Sequence, residues 1–74
     1  MKKEITHGTT ATLIINKEEV TYTFDEGIES DYAKGIVSLE SPLGKALHKK
    51  TEGDLIEIER DTGNLIVTVF EILS

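Results

Sequence analysis

Along the chain, hydrophobic positions recur mostly with a period of two and only once with the three-and-four spacing of a helix. Ala11-Thr12-Leu13-Ile14-Ile15 is an apolar, β-branched run, and Val20, Tyr22 and Phe24 alternate with Thr21 and Thr23. The polar break Asn16-Lys17-Glu18 between them predicts a hairpin whose second strand turns its large side chains inward. Gly35-Ile36-Val37-Ser38-Leu39 predicts a short buried strand, and Leu55-Ile56-Glu57-Ile58-Glu59 sets Ile56 and Ile58 against Glu57 and Glu59. The last apolar run, Leu65 to Leu73, has two candidate inner sets: Ile66, Phe70 and Ile72, or Leu65, Val67 and Val69. A strand covered on both faces accounts for this, and so does an exposed hydrophobic strip used for association.

One stretch breaks the two-residue period. Ser41 is a good N-cap, Pro42 falls at N1 where its missing N–H costs nothing, and Leu43, Ala46 and Leu47 line one face. These residues predict a helix from Pro42 to about Lys49. Lys50-Thr51-Glu52-Gly53-Asp54 and Asp61-Thr62-Gly63-Asn64 carry turn residues, with Gly53 the candidate for a positive φ. Asp25 to Lys34 is acid-rich and predicts an exposed loop. Residues 1–10 hold no sustained period and contain Gly8, Thr9 and Thr10, which predicts a mobile or edge-lying lead-in to a domain over 11–74. The sum is an α+β fold, an antiparallel sheet of about five strands packing one face on a single helix placed between the third and fourth.

At 74 residues the chain is one domain, which buries only about 60% of its unfolded surface. No cysteine supplies a disulfide or a thiolate metal site. Fourteen Asp and Glu against eight Lys and Arg give a net charge of −6, which repels phosphate backbones and anionic lipid, so neither nucleic acid nor membrane is an expected partner. Lys45, Lys49 and Lys50 gather beside His48, where they offset the negative end of the helix dipole or meet an acidic partner. The opening Met1-Lys2-Lys3-Glu4-Ile5-Thr6-His7-Gly8 is too polar for a signal peptide, and a cytoplasmic location is expected.

Candidate chemistry is sparse. An EF-hand register begun at Asp25 puts Ser30 at the glycine position and Ile36 at the bidentate glutamate, so it fails. Asp25, Glu26, Glu29 and Asp31 otherwise read as a solvated loop, a looser divalent-ion site being the minor alternative. His7 and His48 lack zinc-ligand spacing. Capping already explains the Ser41 hydroxyl, and Gly44 at the helix start is a weak sign of anion binding. The four aromatics, Tyr22, Phe24, Tyr32 and Phe70, are too few for a base-stacking platform once a core is filled. No catalytic, cofactor or metal set is expected.

The segment Gly35-Ile36-Val37-Ser38-Leu39-Glu40-Ser41-Pro42-Leu43-Gly44-Lys45-Ala46-Leu47, continued by Lys49-Lys50-Thr51-Glu52-Gly53-Asp54 and closed by Val69-Phe70-Glu71-Ile72-Leu73, strongly resembles the C-terminal domain of the Gre transcript-cleavage factors. These are bacterial elongation factors, and the likeness runs from about Ala11 to the end. It implies an FKBP-like fold, a curved antiparallel sheet around one helix. It also implies docking on RNA polymerase at the rim of the secondary channel, against a coiled coil of the largest subunit. In the family the strand-to-helix corner makes that contact, which points to Glu40, Ser41, Pro42 and Leu43 here. Gre factors hold their catalytic magnesium at the tip of an N-terminal coiled-coil finger, and no heptad-bearing segment precedes Ala11. The expectation is a non-enzymatic polymerase-binding module that competes with full-length channel-binding factors. The alternatives are a self-associating or other protein-interaction module, and a peptidyl-prolyl isomerase suggested by the FKBP-like fold alone.

Overall fold

The computed structural model describes residues 3–73. Five strands, β1 (Thr9–Ile15), β2 (Glu18–Asp25), β3 (Ile36–Ser38), β4 (Leu55–Ile58) and β5 (Leu65–Ile72), form one curled sheet in the order β3-β2-β1-β5-β4. The one α-helix, α1 (Pro42–Leu47), follows β3. Ile15 pairs with Glu18, so the hairpin loop is only Asn16-Lys17, and both residues have positive φ, 52° and 67°. That is the turn whose twist matches the flanking strands. In the resulting register Val20, Tyr22 and Phe24 lie beside Leu13, Ala11 and Thr9 on the inner face.

Three ladders are antiparallel, but β3 pairs with β2 in parallel, Phe24 beside Val37. An antiparallel hairpin is not available to β3, because the acid-rich connection returns the chain to the start of the ladder. That connection is not wholly irregular. It contains a 3-10 turn over Tyr32–Lys34, capped by the Asp31 carboxylate accepting from the Lys34 N–H at 3.3 Å and closed by Gly35 at φ 75°.

β5 resolves its two inner sets by taking members of both. Val67 and Val69 are fully buried and Ile72 is 5% exposed, whereas Ile66 and Phe70 are turned out. The pairing with β1 runs Leu13 to Val69 and then Thr12 to Glu71, so Phe70 is an extra residue on β5. A bulge of this kind shifts the two-residue alternation by one place. Residues before and after it can therefore both face the core, which no single period describes.

α1 contacts β3 and β4, the two opposite edges of the sheet, so one short helix closes the curl. Leu47 is fully buried in the core with Phe24, Leu13, Val37, Val67 and Val69, and Leu43 packs against that cluster. The helix stops at Leu47, short of the expected Lys49, because the lead-in takes over the backbone there. Lys49 (φ 67°) donates its N–H to the Ile5 carbonyl at 2.7 Å, and the Ile5 N–H donates to the Lys50 carbonyl at 2.9 Å. Ile5 is fully buried, Glu4 bridges to Thr51, and β1 starts at Thr9 rather than Ala11. Within the described part of the lead-in the structure thus shows Ile5 docked beside Lys49 and Lys50; Met1, Lys2 and Ser74 lie outside the described residues. Gly53 has the expected positive φ, 89°.

Candidate docking site at the strand-to-helix corner

The turn from β3 into α1 is held by hydrogen bonds on almost every polar group. The Ser41 hydroxyl donates to the Ser38 carbonyl at 2.6 Å and accepts the Gly44 N–H at 3.1 Å, which is the N-cap bond that the Ser-Pro pair predicts. The Ser41 N–H donates to the same Ser38 carbonyl at 3.1 Å, and the Leu39 N–H donates to Asp25 at 2.8 Å. The Ser38 N–H, in turn, donates to the Ser30 hydroxyl at 2.8 Å. The Ser41 hydroxyl is thus used in both directions within the corner, and the Gly44 amide is given to the cap.

Glu40, named above as a docking residue, is also a clamp. One carboxylate oxygen accepts the Gly27 N–H at 2.9 Å, and the other accepts the Ser38 hydroxyl at 2.8 Å. The side chain thereby ties the acidic connection to the corner while the residue stays exposed. The Gly27 N–H first, then the Ser38 hydroxyl, hold the Glu40 carboxyl below its ordinary value of 4.5, with the Lys45 charge adding a little and desolvation opposing. Since the folded value is the lower one, this stabilisation is full above the unfolded value and disappears as pH falls through the folded value. Glu40→Gln should therefore flatten the acid side of the stability curve as pH falls below the ordinary carboxyl value of 4.5, measured by urea unfolding at each pH. Curves of identical slope for the two proteins would show that the clamp does not exist in solution.

Beyond the corner, Pro42 and Leu43 form one wall of a groove of about 540 Å³ on the inner side of the sheet. Ile15, Ile58, Leu65, Tyr22 and Tyr32 line it as well, together with the polar residues Asn16, Glu59 and Arg60. The tyrosine rings meet edge to face, centroids 5.7 Å apart at 67°, an arrangement that holds the half-exposed Tyr32 in place. The strand alternation already turned Tyr22 inward. Tyr32 gave one signal only, an aromatic residue set in an acid-rich loop.

The sequence matches the family "Transcription elongation factor, GreA/GreB, C-term" over residues 1–74. The chain belongs to the GreA/GreB C-terminal domain family. It is 41% identical over 73 residues to the transcription elongation factor GreA of Maridesulfovibrio salexigens, covering 96% of this chain and 46% of that protein. With the GreA of Helicobacter acinonychis it shares 36% over 75 residues, covering 99% and 44%. The chain thus spans less than half the length of these relatives. Its fold is that of the GreA factor homolog Gfh1 of Thermus thermophilus (TM-score 0.80, 22% identity, 99% of this chain and 50% of that one). A GreA/GreB factor from Nitrosomonas europaea superposes with a TM-score of 0.77 at 25% identity, over 100% of this chain and 63% of the other.

In this Gre-type domain the remaining candidates are scattered. His7 Nδ1 accepts the Glu26 N–H at 3.0 Å and lies 3.8 Å from Asp25, so it fastens the lead-in to the acidic connection. His48 caps the end of α1 through its backbone N–H, 2.9 Å from the Gly44 carbonyl. Among the described residues no three His, Asp or Glu side chains converge as metal ligands. Among the same residues no helix is long and apolar enough to cross a membrane.

Proposed function

We propose that this domain attaches its protein to RNA polymerase, with Glu40, Ser41, Pro42 and Leu43 meeting the coiled coil of the largest subunit at the rim of the secondary channel. The observation that carries the reading is a corner fixed by its own hydrogen bonds, opening directly onto an apolar groove, in a chain of the GreA/GreB C-terminal family. A surface already rigid loses little entropy on docking. Pro42 and Leu43 supply apolar contact, and the outer lone pairs of the Glu40 carboxylate remain available to a cation on the partner. The role is binding rather than catalysis. Occupying the channel rim, the domain competes there with full-length channel-binding factors, and a cytoplasmic location follows from that partner. The acidic balance of the chain, net −6, favours a protein contact over a direct one to nucleic acid.

Binding to purified core polymerase, followed by fluorescence anisotropy, tests this. Leu43→Glu should weaken it by about tenfold or more and Pro42→Ala by a few-fold, with circular dichroism unchanged. Glu40→Lys is a poor probe alone, because it also removes the loop clamp. Glu40→Gln separates the two roles. Folded Leu43→Glu and Pro42→Ala variants that bind like the parent would overturn the assignment.

A further inference from the structure

The sheet has a second face, and it is of two kinds. On its β1–β2 half, threonine hydroxyls pair across the strands, Thr10 with Thr23 at 2.9 Å and Thr12 with Thr21 at 3.0 Å. Apart from Ile14, that half is polar. The β4–β5 half is not: Leu55 is 64% exposed, Phe70 57%, Leu73 49% and Ile66 43%, four of the six exposed large apolar side chains among the described residues. The register places Leu55 beside Thr68 and Ile66 beside Glu57 on this side, and the bulge adds Phe70. α1 covers the opposite face, so among the described residues no element packs over these side chains.

Charge says what would cover them. Glu57 stands beside Ile66, Glu71 beside Phe70, and Glu19 faces Ile14 across the β1–β2 ladder. No Lys or Arg occurs in any of the five strands. The result is an apolar strip bordered by carboxylates with no cation on the sheet to neutralise them. A second copy of this chain is a poor occupant, because a two-fold contact would set these glutamates against their own counterparts. A phosphate-bearing or anionic lipid surface is repelled for the same reason. We propose that the outer β4–β5 face is a docking surface for an amphipathic helix of another protein segment, its apolar stripe flanked by Lys and Arg. The eight residues of β5 extend over about 26 Å, the length of about 17 residues of helix. This surface lies on the side of the sheet away from the groove and is independent of polymerase docking there.

A synthetic 18-residue helical peptide of leucine and lysine serves as the probe, with a leucine–glutamate peptide of the same pattern as its control, each titrated into the ¹⁵N-labelled protein. The expected result is amide shifts centred on Leu55, Ile66, Phe70 and Leu73, weakened by salt, lost by about tenfold in affinity in Phe70→Ser and in the double variant Glu57→Lys, Glu71→Lys, and retained in Leu43→Glu. Phe70 is exposed, so circular dichroism should show Phe70→Ser folded. Shifts centred on Tyr22 and Leu65, or on the acidic connection, would overturn the proposal, as would equal binding of the glutamate peptide. So would a doubling of mass on sedimentation that Phe70→Ser abolishes, since the occupant would then be a second copy.

Discussion

Gly44→Ala should destabilise the domain by about 3 kcal/mol or more, against the usual rule that Ala in place of Gly stabilises a helix by up to about 1 kcal/mol. A Cβ at position 44 would collide with the Ser38 carbonyl oxygen and come 2.7 Å from Leu39 Cα and 2.8 Å from the Ser38 carbonyl carbon. All three are backbone atoms, so no side chain can swing aside. Relief requires lifting α1 off the end of β3, which strains the Ser41 cap and withdraws Leu47 from the core. For a domain of this size such a loss lowers Tm by about 12 °C or more. Calorimetry or a urea midpoint checks it, and a variant as stable as the parent would mean that helix and strand do not approach this closely. The glycine that in sequence suggested a weak anion site is therefore a packing residue, and the same close approach fixes the corner that is proposed to dock.

Ile5→Ala is the second large effect, about 3 kcal/mol, since Ile5 is fully buried and its removal leaves a cavity beneath the lead-in. Lys3→Ala, at an exposed position only two residues earlier, should change the urea midpoint hardly at all. The contrast is informative because a mobile lead-in predicts no effect from either. Ile5 also exchanges both of its backbone hydrogen bonds with Lys49 and Lys50. Losing its anchor should consequently speed amide exchange at Lys49 and Lys50 before the rest of the core is affected. Uniform exchange across the sheet would show instead that the segment opens only with the whole domain.

Most of the architecture was legible because strands announce themselves locally. The alternation Val20, Tyr22, Phe24 and the Ser41-Pro42 cap depend on neighbours a few residues away, and both stand where the pattern put them. Ile5 was illegible for the opposite reason. A single apolar residue among polar ones has no period, and its burial depends on a carbonyl and an amide contributed by residues 49 and 50. The ambiguity of the last strand had a definite cause as well. Val69 and Ile72 sit on one face only because Phe70 is an extra residue against β1, and a bulge is a property of two strands paired, not of either alone.

The candidate site divides along the same line. The sequence by itself determined a five-stranded sheet with one capped helix, the position of the corner at Glu40 to Leu43, and, through its likeness to the Gre C-terminal domain, the family. Only the tertiary structure decided that Glu40 clamps Gly27, that Tyr22 and Tyr32 meet from distant segments beside Pro42 in one groove, and that β4, β5 and the residue after β5 leave four apolar side chains exposed together. The first set rests on periodicity and capping, which act within a turn or a strand. The second rests on which strands become neighbours, and that is settled by burying Phe24, Leu47 and Val67 in one core, a long-range condition that no short stretch of the chain contains.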